Sequence, residues 1–218
     1  MSRQAEAVAL LLLDLDETLL DRTSTFRRWA IDFCRSCGED KAAMLWLIEQ
    51  DQGGYRPKEE FVRAVNERLA PREPLTVDGF RRSFAELFRC DPSVLAALSR
   101  VRAGGWDIGV VTNGSPAQLE KVAVSGLSDA VDVVCVSEIE GCRKPDPRLL
   151  RIAASRIGAT LEGAWLVGDN PVSDIGAAAA AGIPSVWLRL GRRWEIEKFR
   201  PTAQADDVVT AIGIATSL

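Results

Sequence analysis

Asp14-Leu15-Asp16-Glu17-Thr18 places two carboxylates two residues apart, directly after an unbroken apolar run that ends at Leu13. Later apolar runs end the same way. Val111 is followed by Thr112-Asn113-Gly114, Val136 by a loop carrying Arg143-Lys144-Pro145, and Val167 by Gly168-Asp169-Asn170, with Asp174 shortly beyond. Carboxylates, a hydroxyl, an amide and an ammonium in these positions suit transfer of a phosphoryl group.

Each group has a task its chemistry fits. Asp14 and Asp16 lie two apart in an extended segment, so both side chains leave the same face. Mg²⁺ takes hard oxygen ligands and keeps several waters, so a few protein oxygens suffice. Asp14 and Asp169 are the expected carboxylate ligands, with the backbone carbonyl of Asp16 as the third protein oxygen. Asp14 then attacks phosphorus in line and forms an aspartyl-phosphate. Asp16, its carboxyl free of metal, protonates the leaving oxygen and later activates the hydrolytic water. Thr112, Asn113 and Lys144 bind the phosphoryl oxygens. Asp174 and Thr18 stand behind this set, Asp174 as a partner for Lys144 or for metal-bound water. Taken singly, each residue has a plainer reading: Asp16 as a turn former, Thr112 as a helix cap, Lys144 as a solvated charge, Asp169 and Asp174 as loop and cap residues. Their order and their shared placement at strand ends favour the joint reading.

The elements that must position these groups are legible as an alternation. The runs Val8–Leu13, Asp107–Val111, Val131–Val136, Ala164–Val167 and Ser185–Leu188 read as strands buried on both faces. Helical patterns lie between them near 93–103, 116–125, 147–157 and 173–181, and another covers 206–215. This is an α/β chain with a Rossmann-like, doubly wound parallel sheet, and ligands of such sheets bind beyond the carboxyl ends of the strands. One stretch breaks the rhythm. From about residue 21 to 91 only helical periodicity is visible: Phe26, Trp29, Ala30 and Phe33 share a face, as do Phe61, Val62, Val65 and Leu69, and then Phe80, Phe84, Leu87 and Phe88. The expected organisation is a discontinuous core, 1–20 with 92–218, and a small helical domain, 21–91, over the exit of the first strand.

Composition narrows the chemistry further. The 218 residues carry a formal net charge of −4, so nothing suggests a grip on nucleic acid or an anionic membrane. The chain contains 0 histidines, which removes Ser-His-Asp and Cys-His catalysis and histidine-bearing zinc sites. The run from Ala7 to Leu13 is too short to span a bilayer and lacks the flanks of a secretory signal. An odd number of cysteines, 5, without framework spacing fits a reducing cytoplasm. Cys34-x-x-Cys37 is a single pair on a helical pattern, more consistent with ordinary thiols than with a redox or zinc site.

The set D-L-D-E-T, T-N-G, K-P and G-D-N-P-V-S-D resembles the four motifs of the haloacid dehalogenase-like hydrolase superfamily, spanning residues 14 to 174. The resemblance implies a Rossmann-like core, Mg²⁺ and a helical cap inserted between the first and second motifs. It implies the same roles for Asp14, Asp16, Thr112, Lys144 and Asp169 as the residues do by themselves. Glu17 departs from it, since relatives often carry glycine there. Dehalogenases of the superfamily lack the second aspartate of the first motif. Retention of Asp16 therefore favours phosphate-ester hydrolysis over dehalogenation. A cap over the site limits access to small phosphorylated metabolites (sugar phosphates, phosphoglycolate or nucleoside monophosphates); the expected setting is the cytoplasm, as a monomer or homodimer. A phosphotransferase or mutase using the same aspartyl-phosphate, and a non-catalytic binding protein with this fold, are the alternatives.

Overall fold

The computed structural model of this chain describes residues 9–217. Ala7 and Val8, which the sequence places in the first apolar run, lie outside them. The chain enters through β1 (Leu10–Leu13), followed by four helices, α1 (Arg22–Cys37), α2 (Lys41–Asp51), α3 (Lys58–Leu69) and α4 (Val77–Ala85). Then come α5 (Pro92–Ala103), β2 (Asp107–Thr112), α6 (Ala117–Ser125), β3 (Val133–Val136), α7 (Ser137–Glu140) and α8 (Arg148–Arg156). The last elements are β4 (Trp165–Gly168), α9 (Gly176–Ala181), β5 (Ser185–Leu188), β6 (Ala203–Ala205) and α10 (Val208–Thr216). Two compact units result. One joins the described residues through Leu20 to those from Arg89 onward; the other is Asp21–Phe88.

In the first unit the strands form one six-stranded sheet, order β3-β2-β1-β4-β5-β6, with every pairing parallel. The α/β, doubly wound reading of the sequence is thus the observed fold. The leucines of β1 are 0% exposed, which only a central strand covered on both faces permits. Burying each contributes roughly 1.5–3 kcal/mol. α8 packs on β2 and β3, while α10 packs on β4, β5 and β6 and against α5. Leu10 and Leu12 share a core with Val111, Leu149, Leu150, Leu166 and the small residues Ala177 and Ala178 of α9. Register pairs Leu13 with Val110 on one side and with Val167 on the other. The segments that follow β1, β2 and β4 therefore leave the sheet at one level. The strand order reverses between β1 and β4, the position where such sheets open a binding crevice.

The structure adds detail the sequence did not announce. The helix expected over 173–181 is divided: Pro171–Ile175 forms one wide π-helical turn before α9 begins. The Asn170 side chain caps its start by accepting from the N–H groups of Val172 and Ser173, and the Asn170 carbonyl accepts from Ile175 N–H, five residues on, at 3.4 Å. α4 stops at Ala85, so Leu87 and Phe88 follow it in a turn.

The second unit is helical throughout its described elements and is centred on aromatic rings. Phe80 stands edge-on to Trp29 at 4.8 Å and lies 5.1 Å from Phe61, and Phe26 meets Phe84 at 5.7 Å. A buried ion pair closes one end, with Arg22 donating to both oxygens of Asp51 at 2.7 and 2.9 Å. Gly54 lies against that guanidinium: a Cβ there would fall 2.8 Å from it, and φ is +93°. The Gln52–Arg56 loop thus owes this glycine to packing. Cys34 is buried on α1, and all five cysteines are free thiols.

Candidate active site

The loop after β1 tightens at once into a helical turn, with Leu19 N–H and Leu20 N–H both donating to Leu15 C=O. Glu17 sits inside it at φ 61°, in the left-handed region. Glycine adopts that backbone freely, whereas a side chain there carries a strain of about 1–2 kcal/mol. The turn sends the two aspartates in different directions.

Asp14 is nearly buried and faces Lys144. The Lys144 ammonium is 2.6 Å from Asp14 Oδ1, 2.6 Å from the Val111 carbonyl and 2.6 Å from Asp174 Oδ1. Its side chain is 1% exposed, so only these partners balance its desolvation. Asn113 places it: the amide oxygen accepts from Lys144 N–H and the amide nitrogen donates to Lys144 C=O, both at 2.9 Å. The sequence assigns Asn113 to substrate binding; here its side chain is committed to the Lys144 backbone, because a side-chain amide matches both groups of a facing peptide.

Asp169 follows β4. Its carbonyl accepts from Trp187 Nε1 at 2.8 Å and from Arg192 at 2.7 Å, and its carboxylate pairs with Arg192 at 3.0 Å. Asp174, brought back by the π turn, accepts from Asn170 N–H at 2.9 Å. The carboxylate oxygens of Asp14, Asp169 and Asp174 lie within 4.8 Å of one another. Asp16 stands apart from this cluster. Both of its oxygens accept from Lys121, at 2.7 and 2.6 Å, and one accepts from Gln118 at 3.0 Å. Gln118 also donates to Thr112 Oγ1 at 2.7 Å. The Thr18 hydroxyl is buried with no partner among the described residues.

The electrostatics follow from this crowding. Burial pushes the Asp14 carboxyl up to about 8; Lys144 pulls it down, and Asp174 and Asp169 add to the rise. Burial, then Asp174, raises Asp169 to about 6, against the pull of Arg192. Burial alone would lower Lys144, but Asp14 and Asp174 outweigh it and hold the ammonium above its ordinary value. Fully ionised, three carboxylates (−3) against Lys144 (+1) and Arg192 (+1) leave a net −1 in a largely buried space. Closely spaced hard oxygens with that surplus fit one divalent cation of the Mg²⁺ type.

Gly168 is part of the construction. A Cβ there would fall 2.4 Å from the Asp174 carboxyl, which is itself held by Lys144 and the Asn170 N–H. Gly168→Ala is therefore expected to displace Asp174 and lower stability by about 1–3 kcal/mol, read as the urea midpoint. An unchanged midpoint would mean that Asp174 is not fixed as described.

Gln118, Lys121 and Arg192 were not among the residues singled out as the site from sequence. The first two had a readable signal. They are polar, three apart, and share a buried stripe of α6 with Val122 and Ser125. Arg192 lies in a loop, and nothing local in the sequence ties it to Asp169.

A family model for haloacid dehalogenase-like hydrolases matches residues 8–182. The chain is 37% identical over 118 residues to the phosphoserine phosphatase of Thermus thermophilus, covering 54% of this chain and 47% of that protein. It thus spans about half the length of that relative. It is 37% identical over 189 residues to the phosphoglycolate phosphatase of Cupriavidus necator, covering 83% of this chain and 80% of that one. The solved HAD-hydrolase YfnB of Bacillus subtilis superposes with a TM-score of 0.74 at 20% identity, covering 96% of this chain and 99% of that one. That likeness is one of fold.

Proposed function

This chain belongs to the haloacid dehalogenase-like hydrolases, and from that premise we propose that it is a Mg²⁺-dependent phosphatase of small phosphorylated metabolites, acting through an aspartyl-phosphate on Asp14. Residues 1–20 and 92–218 as catalytic core and 21–91 as cap belong to the same proposal. One observation carries it: Asp14, Lys144, Asp169 and Asp174, drawn from distant segments, share one buried cluster at the switch point of the sheet.

Mg²⁺ would be held by Asp14, Asp169 and the Asp16 carbonyl, and would neutralise charge on the phosphoryl group. Asp14 Oδ attacks phosphorus as the ester P–O bond breaks, and Asp16 delivers a proton to the departing oxygen. Water then attacks the aspartyl-phosphate while Asp16 takes its proton, releasing phosphate and restoring Asp14. Lys144 and the Thr112 hydroxyl hold phosphoryl oxygens, and Asn113 fixes Lys144 through its backbone. Names of relatives support the substrate class, since both curated relatives are phosphatases of small phosphate monoesters.

The test is phosphate release from a panel including phosphoserine, phosphoglycolate, sugar phosphates and nucleoside monophosphates, with Mg²⁺ or with a chelator. Release that depends on Mg²⁺ is expected; no release from any member, or release indifferent to chelation, refutes the reading.

The metal also couples to protons. With Asp14 near 8 and Asp169 near 6 in the ion-free protein, a cation that requires carboxylates must displace protons at pH 7. Mg²⁺ affinity should therefore rise as pH climbs from about 6 to 8, with net proton release at pH 7. Titration calorimetry in two buffers of different ionisation enthalpy measures the protons directly. Identical heats in both would contradict the raised Asp14.

A further inference from the structure

We propose that Gln118 and Lys121 of α6 are positioning residues that hold the Asp16 carboxylate and the Thr112 hydroxyl in one rigid arrangement. The inference rests on the phosphatase reading above, in which Asp16 is the acid and base and Thr112 holds phosphate.

The geometry is specific. Lys121 donates to both Asp16 oxygens at 2.7 and 2.6 Å. Gln118 Nε2 reaches Asp16 Oδ2 at 3.0 Å and Thr112 Oγ1 at 2.7 Å, so one amide ties the acid/base group to the phosphate-holding hydroxyl. Both donors lie on the buried stripe of α6, where apolar side chains are the rule, and they are 5% and 8% exposed. Room has been left for them. Gly114 carries no side chain where a Cβ would fall 2.9 Å from Gln118 Cγ. The contacts also span the chain, joining residue 16 to residues 118 and 121 across more than one hundred positions. A polar pair inside a helix–sheet interface, aimed at one carboxylate, has little use in packing alone.

A proton donor accelerates a reaction only when it is held within hydrogen-bond reach of the atom it serves. Asp16 is needed for leaving groups that depart as poor, basic alkoxides, and hardly at all for 4-nitrophenolate, which leaves unprotonated. Losing the clamp should then harm the two kinds of ester unequally. Lys121→Met, close to isosteric and without donors, is expected to lower kcat/KM for benzyl phosphate by about 10²-fold. For 4-nitrophenyl phosphate the change should stay within a few-fold. Asp16→Asn should show the same inequality, and Lys121→Met/Asp16→Asn should be no worse than Asp16→Asn alone, because residues acting as one unit are not additive.

The experiment measures kcat/KM for both esters in wild type and variants at saturating Mg²⁺, with thermal unfolding alongside. Equal losses on both esters would assign Lys121 a structural role and overturn the proposal, as would losses that multiply in the double variant. Should Lys121→Met not fold, Lys121→Gln, which leaves the Gln118–Thr112 contact in place, must give the same inequality at smaller size, and equal losses in that variant overturn it too. Failure of the underlying reading looks different: wild type would hydrolyse neither ester, whatever the variants do.

Discussion

Asp14→Asn is expected to abolish turnover, by at least about 10⁴-fold or roughly 5.5 kcal/mol of barrier, while the protein keeps its fold. The loss follows from chemistry, because an amide oxygen cannot form the acyl-phosphate bond of the proposed reaction. Retention of the fold follows from charge. The Asp14 carboxyl is raised to about 8 by burial beside Asp174 and Asp169. Between its unfolded value of 3.8 and 8 the folded protein holds more protons at this position than the unfolded chain. Its stabilising contribution is complete below 3.8 and is lost as pH rises through 8. At pH 8 without metal, an ionised Asp14 is thus a burden, and asparagine, which can still accept from Lys144, removes it. Melting temperatures of the ion-free proteins at pH 8 should show Asp14→Asn equal to or above wild type, with phosphate release at background. Measurable turnover by a homogeneous Asp14→Asn preparation would remove Asp14 from the role of nucleophile.

Lys144→Met should damage stability and activity together. The ammonium is 1% exposed and faces two carboxylates and the Val111 carbonyl. Deleting one member of a buried charge cluster leaves its partners uncompensated, typically at about 3–5 kcal/mol. Asp14, already raised to about 8 and now without the ammonium that pulls it down, would hold its proton more firmly, and Asp174 and the Val111 carbonyl would face a methionine that cannot donate to them. A divalent cation supplies part of the missing positive charge, so Mg²⁺ should raise the denaturation midpoint of Lys144→Met by more than it raises wild type. A midpoint within 1 kcal/mol of wild type, or no extra gain with Mg²⁺, would refute this account of what the lysine balances.

Some of this was legible before any coordinates. Short apolar runs of Val, Ile and Leu, shorter than buried helices and alternating with helical patterns, read as buried parallel strands, and five of the six strands are seen that way. β6 was not visible, because Ala203-Gln204-Ala205 has neither branched nor aromatic residues and borrows its order from β5. The wide turn at Pro171–Ile175 is likewise set by where backbone bonds fall, with Ile175 N–H reaching back five residues to the Asn170 carbonyl, which side-chain periodicity does not encode. At the site, polar residues directly after strands stand out by position. What position does not reveal is which polar group serves another, as Asn113 serves the Lys144 backbone and Gln118 serves both Asp16 and Thr112. Those relations are long-range, and a one-dimensional pattern carries no trace of them.

The place of β1 in the middle of the sheet has a consequence during synthesis. Leu10–Leu13 emerge from the ribosome early, yet β2 and β4, which flank them, begin only at Asp107 and Trp165. At about 5–20 residues per second, the nascent chain keeps four leucines without one of their neighbours for roughly 8–30 s. The strand that leads into Asp14 is made before both of its neighbours and shielded only after them, which leaves its leucines open to aggregation or chaperone capture during that interval.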